Sequence, residues 1–523
     1  MNIHSNTSRN YVVINKILDK VIIHLKKNIN FDFEYSRTNI VQRLSQLVCL
    51  LITSELSAQS IKKSTSGGKT FFEFLPKNLK CNQILIDTNS GIVKPSFLLI
   101  VLNSFRFLLL WLLILFSFIF SYFYNSRNFG SATLIFGIPH DLNDEECLTN
   151  FEGYCTNTSN NIIRSSNGFV TQFGKKINSK SNLFIYSKIP IISLFLSNTL
   201  HKDEKRIFLT KHFYILFNYF FITLRFPLFC LLWKDYALHS CAESLNRRNL
   251  IDSNIITNSY SSHDLWMNYL PNRNFKTYLA LYSQNTFNFI FRDDQVKTIY
   301  PLHRFTKADL IWIWNYEYKY SLIANGIDSN IKVVEPVLWF LPKIKPNIKK
   351  DNIIRISVFD VTPFDDNFLL TIGLQSSYYN ARTSIKFLDD IIRATEIISK
   401  SDNINFEIFL KHKRVRVKSH DQSYLRHVDY LCKSKTFFNL VDHDVNLYSF
   451  TSNTNLAIAI PYSSPVLLAK ILNIPSFYYD PNNEVIFPKK YFPESIKQIS
   501  NLKNLVTGIR NSMKDDVSIQ LKI

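Results

Sequence analysis

Hydrophobic and polar positions change rhythm along the chain, and the changes divide it into stretches. The first 95 residues carry basic amphipathic pieces such as KILDKVIIHLKK, interrupted by the polar break KKSTSGGKT, and read as a helical preface. From Ala132 to about Leu341, short apolar runs (ATLIFGIPH, NLFIYSK, TYLALYSQ, DLIWIWN, KVVEPVLWFL) alternate with longer mixed segments, as in an α/β unit. PKIKPNIKKDN, Pro342 to Asn352, is basic, proline-punctuated and without an apolar period, and reads as a linker. Beyond it the alternation becomes regular. Strands are expected in IIRISVFDV, NFEIFLKHK, FFNLV, NLAIAIPY and PSFYYD, and helices from about Tyr379 to Ser399, around Tyr424 to Lys433, and in PVLLAKILN. Strands alternating with helices predict right-handed βαβ units and a parallel sheet.

Two long apolar stretches stand outside that rhythm. Phe97 to Tyr124 runs 28 positions with Arg106 as its only charge, enough to cross a bilayer. Phe213 to Trp233 is interrupted by Arg225 and Pro227. Spanning would separate ATLIFG and NLFIY from the later strands of the sheet they are expected to join. The favoured expectation is helices lying in or dipping into the membrane interface, with both arginines reaching to lipid phosphate. A buried helix pair and a true span stay open as alternatives.

The expected fold class is therefore α/β: two Rossmann-like domains, with an N-terminal helical, membrane-associated extension. The boundaries fall near 1–130, 131–345 and 350–523.

Composition narrows the function. The chain has 523 residues, 46% hydrophobic and 20% charged, so it is globular and large enough for more than one core. A net charge of +20 suits anionic lipid or phosphorylated substrates. The basic residues are scattered and form no nucleic-acid-binding signature, so no nucleic-acid partner is expected. Seven cysteines without a CxxC pair argue against a zinc site and a disulfide framework. MNIHSNTSRNYVVINKILDK lacks the apolar core and cleavage site of a secretory signal. The expected location is cytoplasmic, peripheral or monotopic on the inner face of the cytoplasmic membrane.

In a parallel sheet ligands sit beyond the carboxyl ends of the strands, so motifs placed there carry the chemistry. In NLAIAIPYSSPVLLAKILN, Ser463 and Ser464 precede Pro465, a helix-start pattern that aims backbone N–H groups and hydroxyls at a phosphate. The alternative is a capped helix with no ligand. Lys411, His412, Lys413 and Arg414 leave the strand FEIFLKHKR where they could neutralise a nucleotide phosphate; the alternative is a solvated basic loop. Asp360 and Thr362 end SVFDVTPF, and Tyr479 and Asp480 end PSFYYDP. Asp480 could hold a sugar hydroxyl and Tyr479 could stack on a base, although singly such residues are more often turn formers or core aromatics.

Taken in order, FDVTP, the YYN…KFLDDI helix, FLKHKR with the following HDQSY, and PYSSP…IPSFYYDP resemble the bacterial polysaccharide-biosynthesis family named for its PFTS motif. IWIWNYE and VVEPVLWF are weaker outliers. The name-giving motif reads PYSS here, aromatic for aromatic and hydroxyl for hydroxyl, and His412 stands where the family tends to have proline. The resemblance implies the two-domain GT-B glycosyltransferase architecture and sugar transfer in capsule or lipopolysaccharide assembly. The donor would be a nucleotide sugar, UDP- or CMP-linked, and the acceptor a lipid-linked glycan or growing polysaccharide. The basic strand end with a Ser-Ser helix start is also similar to bacterial sialyltransferase-like enzymes. No DxD ends a strand convincingly, so no essential metal and no cofactor are expected. Inverting transfer needs a base, for which His140 and Asp141 after ATLIFGIP are the candidates and His303 and Glu335 the fallbacks. Two other readings are a CDP-alditol-type glycerol- or sugar-phosphate transferase and a non-catalytic, membrane-docked assembly protein.

Overall fold

The computed structural model describes residues 3–29, 35–64, 78–80, 83–87, 92–122, 132–136, 169–172, 183–186, 200, 202–256, 264–281, 292, 304–314, 316–324, 326–327, 329–334, 353–365, 378–412, 416–443, 445–486 and 497–520. The linker at Pro342 to Asn352 lies outside them, as do His140, Asp141, His303, Glu335, Lys413 and Arg414.

The preface contains helices α1 (Ile3–Asn28) and α2 (Arg37–Ser64) and a small antiparallel sheet, β1 (Asn78–Lys80), β2 (Ile84–Asp87) and β3 (Ile92–Pro95). Next comes α3 (Phe97–Tyr122), almost wholly apolar.

A seven-stranded sheet follows, with strands β4 (Ala132–Phe136), β5 (Phe169–Gln172), β6 (Leu183–Tyr186), β7 (Ile251–Ile256), β8 (Lys276–Ala280), β9 (Leu310–Ile313) and β10 (Ile331–Val333). Their order is β10-β9-β8-β7-β4-β5-β6, and every neighbouring pair is parallel. Helix α4 (Lys202–Arg225) lies in sequence between β6 and β7. After it come a 3-10 turn (Pro227–Leu232), α5 (Trp233–Ala237) and α6 (His239–Arg247), then α7 (Leu265–Tyr269) before β8 and α8 (Tyr316–Ala324) before β10.

The C-terminal sheet has six parallel strands: β11 (Ile353–Phe359), β12 (Asn405–Lys411), β13 (Phe438–Val441), β14 (Leu456–Ala459), β15 (Ser476–Asp480) and β16 (Lys497–Ser500). The order is β13-β12-β11-β14-β15-β16, so the topology reverses direction between β11 and β14. This is the doubly wound order whose switch point opens a crevice at the strand ends. Its helices are α9 (Ala381–Asp402), α10 (Gln422–Ser434), α11 (Leu447–Thr451), α12 (Pro465–Ile471) and α13 (Leu502–Gln520).

Local sequence explains these elements. All four residues of β14 are buried, as an interior strand covered on both faces requires. Helix α9 buries Phe387, Leu388, Ile391, Ile392, Thr395 and Ile398 on one stripe; Asn380 caps its start by accepting from Thr383 N, and Asn403 ends it in the left-handed region.

Helices α3 and α4 run antiparallel and pack through matched aromatic pairs, Phe107 on Tyr219 at 3.7 Å and Phe118 on Phe208 at 3.9 Å between ring centroids. Trp111 stacks on His212, and each reaches the other's backbone: Trp111 Nε1 donates to His212 O at 2.8 Å and His212 Nε2 donates to Trp111 O at 3.1 Å. The opposite faces are exposed and apolar, including Phe97, Phe105 and Phe120 on α3 and Phe217, Phe221 and Leu224 on α4.

A crossing by α4 alone would put β4–β6 on the far side of a membrane from β7, yet β4 and β7 pair along their length. A crossing by α3 would strand α2, yet Arg43 of α2 forms buried ion pairs with Asp235 at 3.3 Å and Asp264 at 3.4 Å. Nine residues into α3, Arg106 would also sit about 14 Å along the helix and near the centre of a bilayer, where an arginine costs about 2.5–3.5 kcal/mol or more. The hairpin therefore lies on the body of the protein, with one face against it and one outward.

Candidate functional site at the C-terminal switch point

Three strand ends converge where the second sheet changes direction. Asp360 follows β11, His412 follows β12, and the sequence Ile460 to Ser464 follows β14. The Asp360 side chain is completely buried. Its Oδ2 accepts the Tyr424 hydroxyl at 2.5 Å, its Oδ1 accepts Thr362 Oγ1 at a long 3.4 Å, and His412 Nδ1 lies 3.6 Å away. Burial, and then the charge of Asp360, push the Tyr424 phenol well above its ordinary pKa, so it stays protonated and donating.

Tyr424 reaches the site because Asp421 caps α10. Asp421 Oδ1 accepts from Ser423 N at 2.8 Å and Tyr424 N at 3.1 Å, which fixes the helix start and turns the phenol toward the strand ends. The preceding loop is tied to the loop after β11 by Asp365 N to Ser419 O and Asp421 N to Pro363 O.

His412 is buried, and neither ring nitrogen has a hydrogen bond. Buried polar groups are overwhelmingly paired, and leaving one unpaired costs about 1–3 kcal/mol. An imidazole in that condition beside a carboxylate, at a switch point, marks where a polar ligand would be received.

The PYSS turn is held by tyrosines. Tyr379 donates to Pro461 O at 2.7 Å, Tyr478 to Ser463 O at 2.5 Å, and Tyr462 to Ile486 O at 2.8 Å. Tyr462 has φ of 63°, a left-handed conformation a bulky residue adopts only under constraint. Ser463 Oγ donates to Ile460 O at 2.7 Å. Ser464 is the N-cap with Pro465 the first helical residue, as expected, but its side chain makes no capping bond.

The remaining expected site residues are placed differently. Lys411 is buried, and its ammonium donates to His443 O at 2.7 Å and Asp442 O at 3.4 Å, so it braces the loop after β13. Asp480 is fully buried: Oδ1 accepts Tyr378 Oη at 3.0 Å and Asn482 N at 3.2 Å, and Oδ2 accepts Val485 N at 2.9 Å. It organises the turn after β15, where a sugar contact was expected. Tyr479 donates to Asp390 at 2.7 Å and packs on Phe387, on the α9 side of the sheet. The structure thus gathers Asp360, Thr362, His412, Ser463 and Ser464, adds Tyr424, and turns Lys411, Tyr479 and Asp480 to internal bonds.

The first α/β unit touches this end of the sheet. Arg292 donates from its backbone N to Glu484 O and from Nε to Asn483 O, both at 2.9 Å, in the turn after β15. Among the described residues no group of three His, Cys, Asp or Glu side chains is arranged to hold a metal, and Cys230, Cys241 and Cys432 are free thiols.

Two parallel sheets of doubly wound order, with polar side chains gathered at a switch point of the second, define a two-unit α/β protein with a crevice at its strand ends. The chain belongs to the polysaccharide biosynthesis PFTS motif protein family, whose model matches residues 213–507 and so takes in the PYSS turn. Among solved structures it is similar to the wall teichoic acid polymerase TagF, with 11% identity over 80% of this chain and 91% of that one and a TM-score of 0.39. It is also similar to the UDP-GlcNAc 2-epimerase from Methanocaldococcus jannaschii (10% identity, 73% of this chain and 92% of that one, TM-score 0.38). A third is Anabaena Alr3699/HepE in complex with UDP and glucose (9% identity, 73% and 90%, TM-score 0.36). No curated protein matches.

Proposed function

We propose that this polysaccharide-biosynthesis protein is a glycosyltransferase that moves a sugar from a nucleotide-activated donor to a lipid-linked or growing surface polysaccharide, at the cytoplasmic face of the membrane. The observation that carries the reading is His412: a buried imidazole without hydrogen bonds, 3.6 Å from Asp360, at the C-terminal switch point. In this reading the donor phosphate lies between His412 and the PYSS turn. His412 offers a ring N–H to that phosphate, offsetting charge as it develops on the departing nucleotide. Tyr462 is left-handed and the N-cap Ser464 right-handed, and this tight turn before α12 is proposed to aim backbone N–H groups at that anion. Phosphate neutralisation then rests on side chains and backbone dipoles, without a metal. Lys413 and Arg414 are proposed to add charge from the loop after His412, and the acceptor is proposed to enter from the first α/β unit, with His140 and Asp141 supplying a base.

The test is thermal stabilisation of detergent-purified protein by UDP, CMP, GDP and CDP-glycerol, alongside His412→Phe and Ser464→Ala. One nucleotide should stabilise the protein and fail to do so in both variants. A stabilising nucleotide whose effect survives both substitutions would move the donor elsewhere, and CDP-glycerol acting alone would favour an alditol-phosphate transferase.

A further inference from the structure

The α3–α4 hairpin ends at a groove of about 750 Å3, lined by His24 and Asn28 of α1, Val93 and Lys94 of β3, and Arg225 and Phe226 where α4 stops. The antiparallel packing brings the start of α3 and the end of α4 to this same end, so the groove opens beside the exposed apolar faces. Lys94 and Arg225 are both exposed, and neither has an acidic partner among the described residues. Lys26 and Lys27 lie exposed at the adjoining end of α1, and among the described residues no acidic side chain lines the groove. An apolar slab bordered at one end by exposed cations matches a lipid in which acyl chain and phosphate lie side by side.

We propose that this groove binds the phosphate headgroup of an anionic bilayer phospholipid, with its chains along the outward faces of α3 and α4. The proposal rests on the membrane-surface reading above and adds a site and a charge preference. Each lysine or arginine near an anionic surface contributes about a factor of five to partitioning, so removing two should cost about 25-fold.

The experiment is flotation of the full chain with vesicles of phosphatidylcholine alone or mixed with phosphatidylglycerol, for the natural protein, a Lys94→Gln/Arg225→Gln variant and a Phe217→Ser/Phe221→Ser variant. Thermal unfolding confirms that each is folded. The natural protein should prefer the anionic vesicles. The cation variant should lose most of that preference while keeping its binding to neutral vesicles, and the apolar-face variant should bind both poorly. An unchanged anionic preference in the cation variant overturns the headgroup site and leaves membrane docking standing. Failure of the natural protein to float with either vesicle overturns the membrane reading itself. Soluble glycerol phosphate that abolishes the preference at millimolar concentration would overturn the lipid as ligand in favour of a free phosphate.

Discussion

Replacing Tyr424 with phenylalanine removes one oxygen and tests the frame of the candidate site. Among the described residues its hydroxyl is the only hydrogen-bond donor within 3 Å of the fully buried Asp360 carboxylate; the others, Thr362 Oγ1 and His412 Nδ1, stand at 3.4 and 3.6 Å. A hydrogen bond to a charged group contributes about 1.5–3 kcal/mol, and the stranded acceptor keeps its desolvation cost. Tyr424→Phe should therefore destabilise the C-terminal unit by about 2–3 kcal/mol, lowering its unfolding midpoint by roughly 4–12 °C for a unit of this size. Asp360→Asn removes the charge but leaves an acceptor, so the double variant should be less destabilised than the sum of the singles by about 1–2 kcal/mol. Thermal unfolding of all four proteins, with hydrogen exchange of the β11 and β12 amides to localise the loss, supplies the cycle. A Tyr424→Phe cost below about 0.5 kcal/mol, or strict additivity, would refute a charge-assisted bond at the centre of the site.

Burial depresses the pKa of His212 from 6.5 to about 4, only partly offset by its bond to the Trp111 carbonyl. A lowered histidine pKa means the unfolded chain binds the extra proton first. Its contribution is full above pH 6.5 and is lost as pH falls toward 4, by about 3 kcal/mol. The stability difference between the natural protein and His212→Gln should shrink across that window, and a flat difference from pH 7 to 4 contradicts the assignment. Arg43→Met leaves Asp235 and Asp264 buried without their shared guanidinium and should cost about 3–5 kcal/mol, read as early release of the preface in hydrogen exchange. Because Lys411 is spent on the carbonyls of Asp442 and His443, Lys411→Ala should lower the unfolding temperature while changing nucleotide affinity less than twofold. A tenfold loss of affinity measured calorimetrically would return Lys411 to the phosphate site.

Periodicity made the C-terminal sheet legible because β11, β12, β14 and β15 are dense apolar runs bounded by turn formers and capped helices. It missed β7, where Asp252, Ser253 and Asn254 interrupt the apolar run. The sheet tolerates them partly because the Ser253 hydroxyl pairs with Thr133 of β4. It also missed the short strands β5 and β16, whose four residues each carry too little pattern. At the site, strand ends were legible but side-chain direction was not. Asp480 looks like a ligand contact until the turn after it folds two backbone donors onto its carboxylate and Tyr378, ahead of α9, adds a third. Tyr424 had a signal in HDQSY, an N-cap aspartate with an aromatic three residues on, but only the packing of α10 shows what the phenol meets.

The PYSS turn explains why so many tyrosines surround one short motif. A left-handed tyrosine costs about 1–3 kcal/mol and persists only where the surroundings over-determine it. Here the hydroxyls of Tyr379, Tyr478 and Tyr462 each reach a carbonyl in or beside the turn, at about 1 kcal/mol apiece, which is enough to offset the strain. The two carbonyls tied within the motif, those of Pro461 and Ser463, are thereby unavailable to repel an anion. Where the family name calls for phenylalanine, Tyr462 adds the bond to Ile486 O, in the turn whose carbonyls at Asn483 and Glu484 accept from Arg292 of the first α/β unit. The strained turn is thus fixed before any ligand arrives, and little ordering entropy is left to be lost on binding.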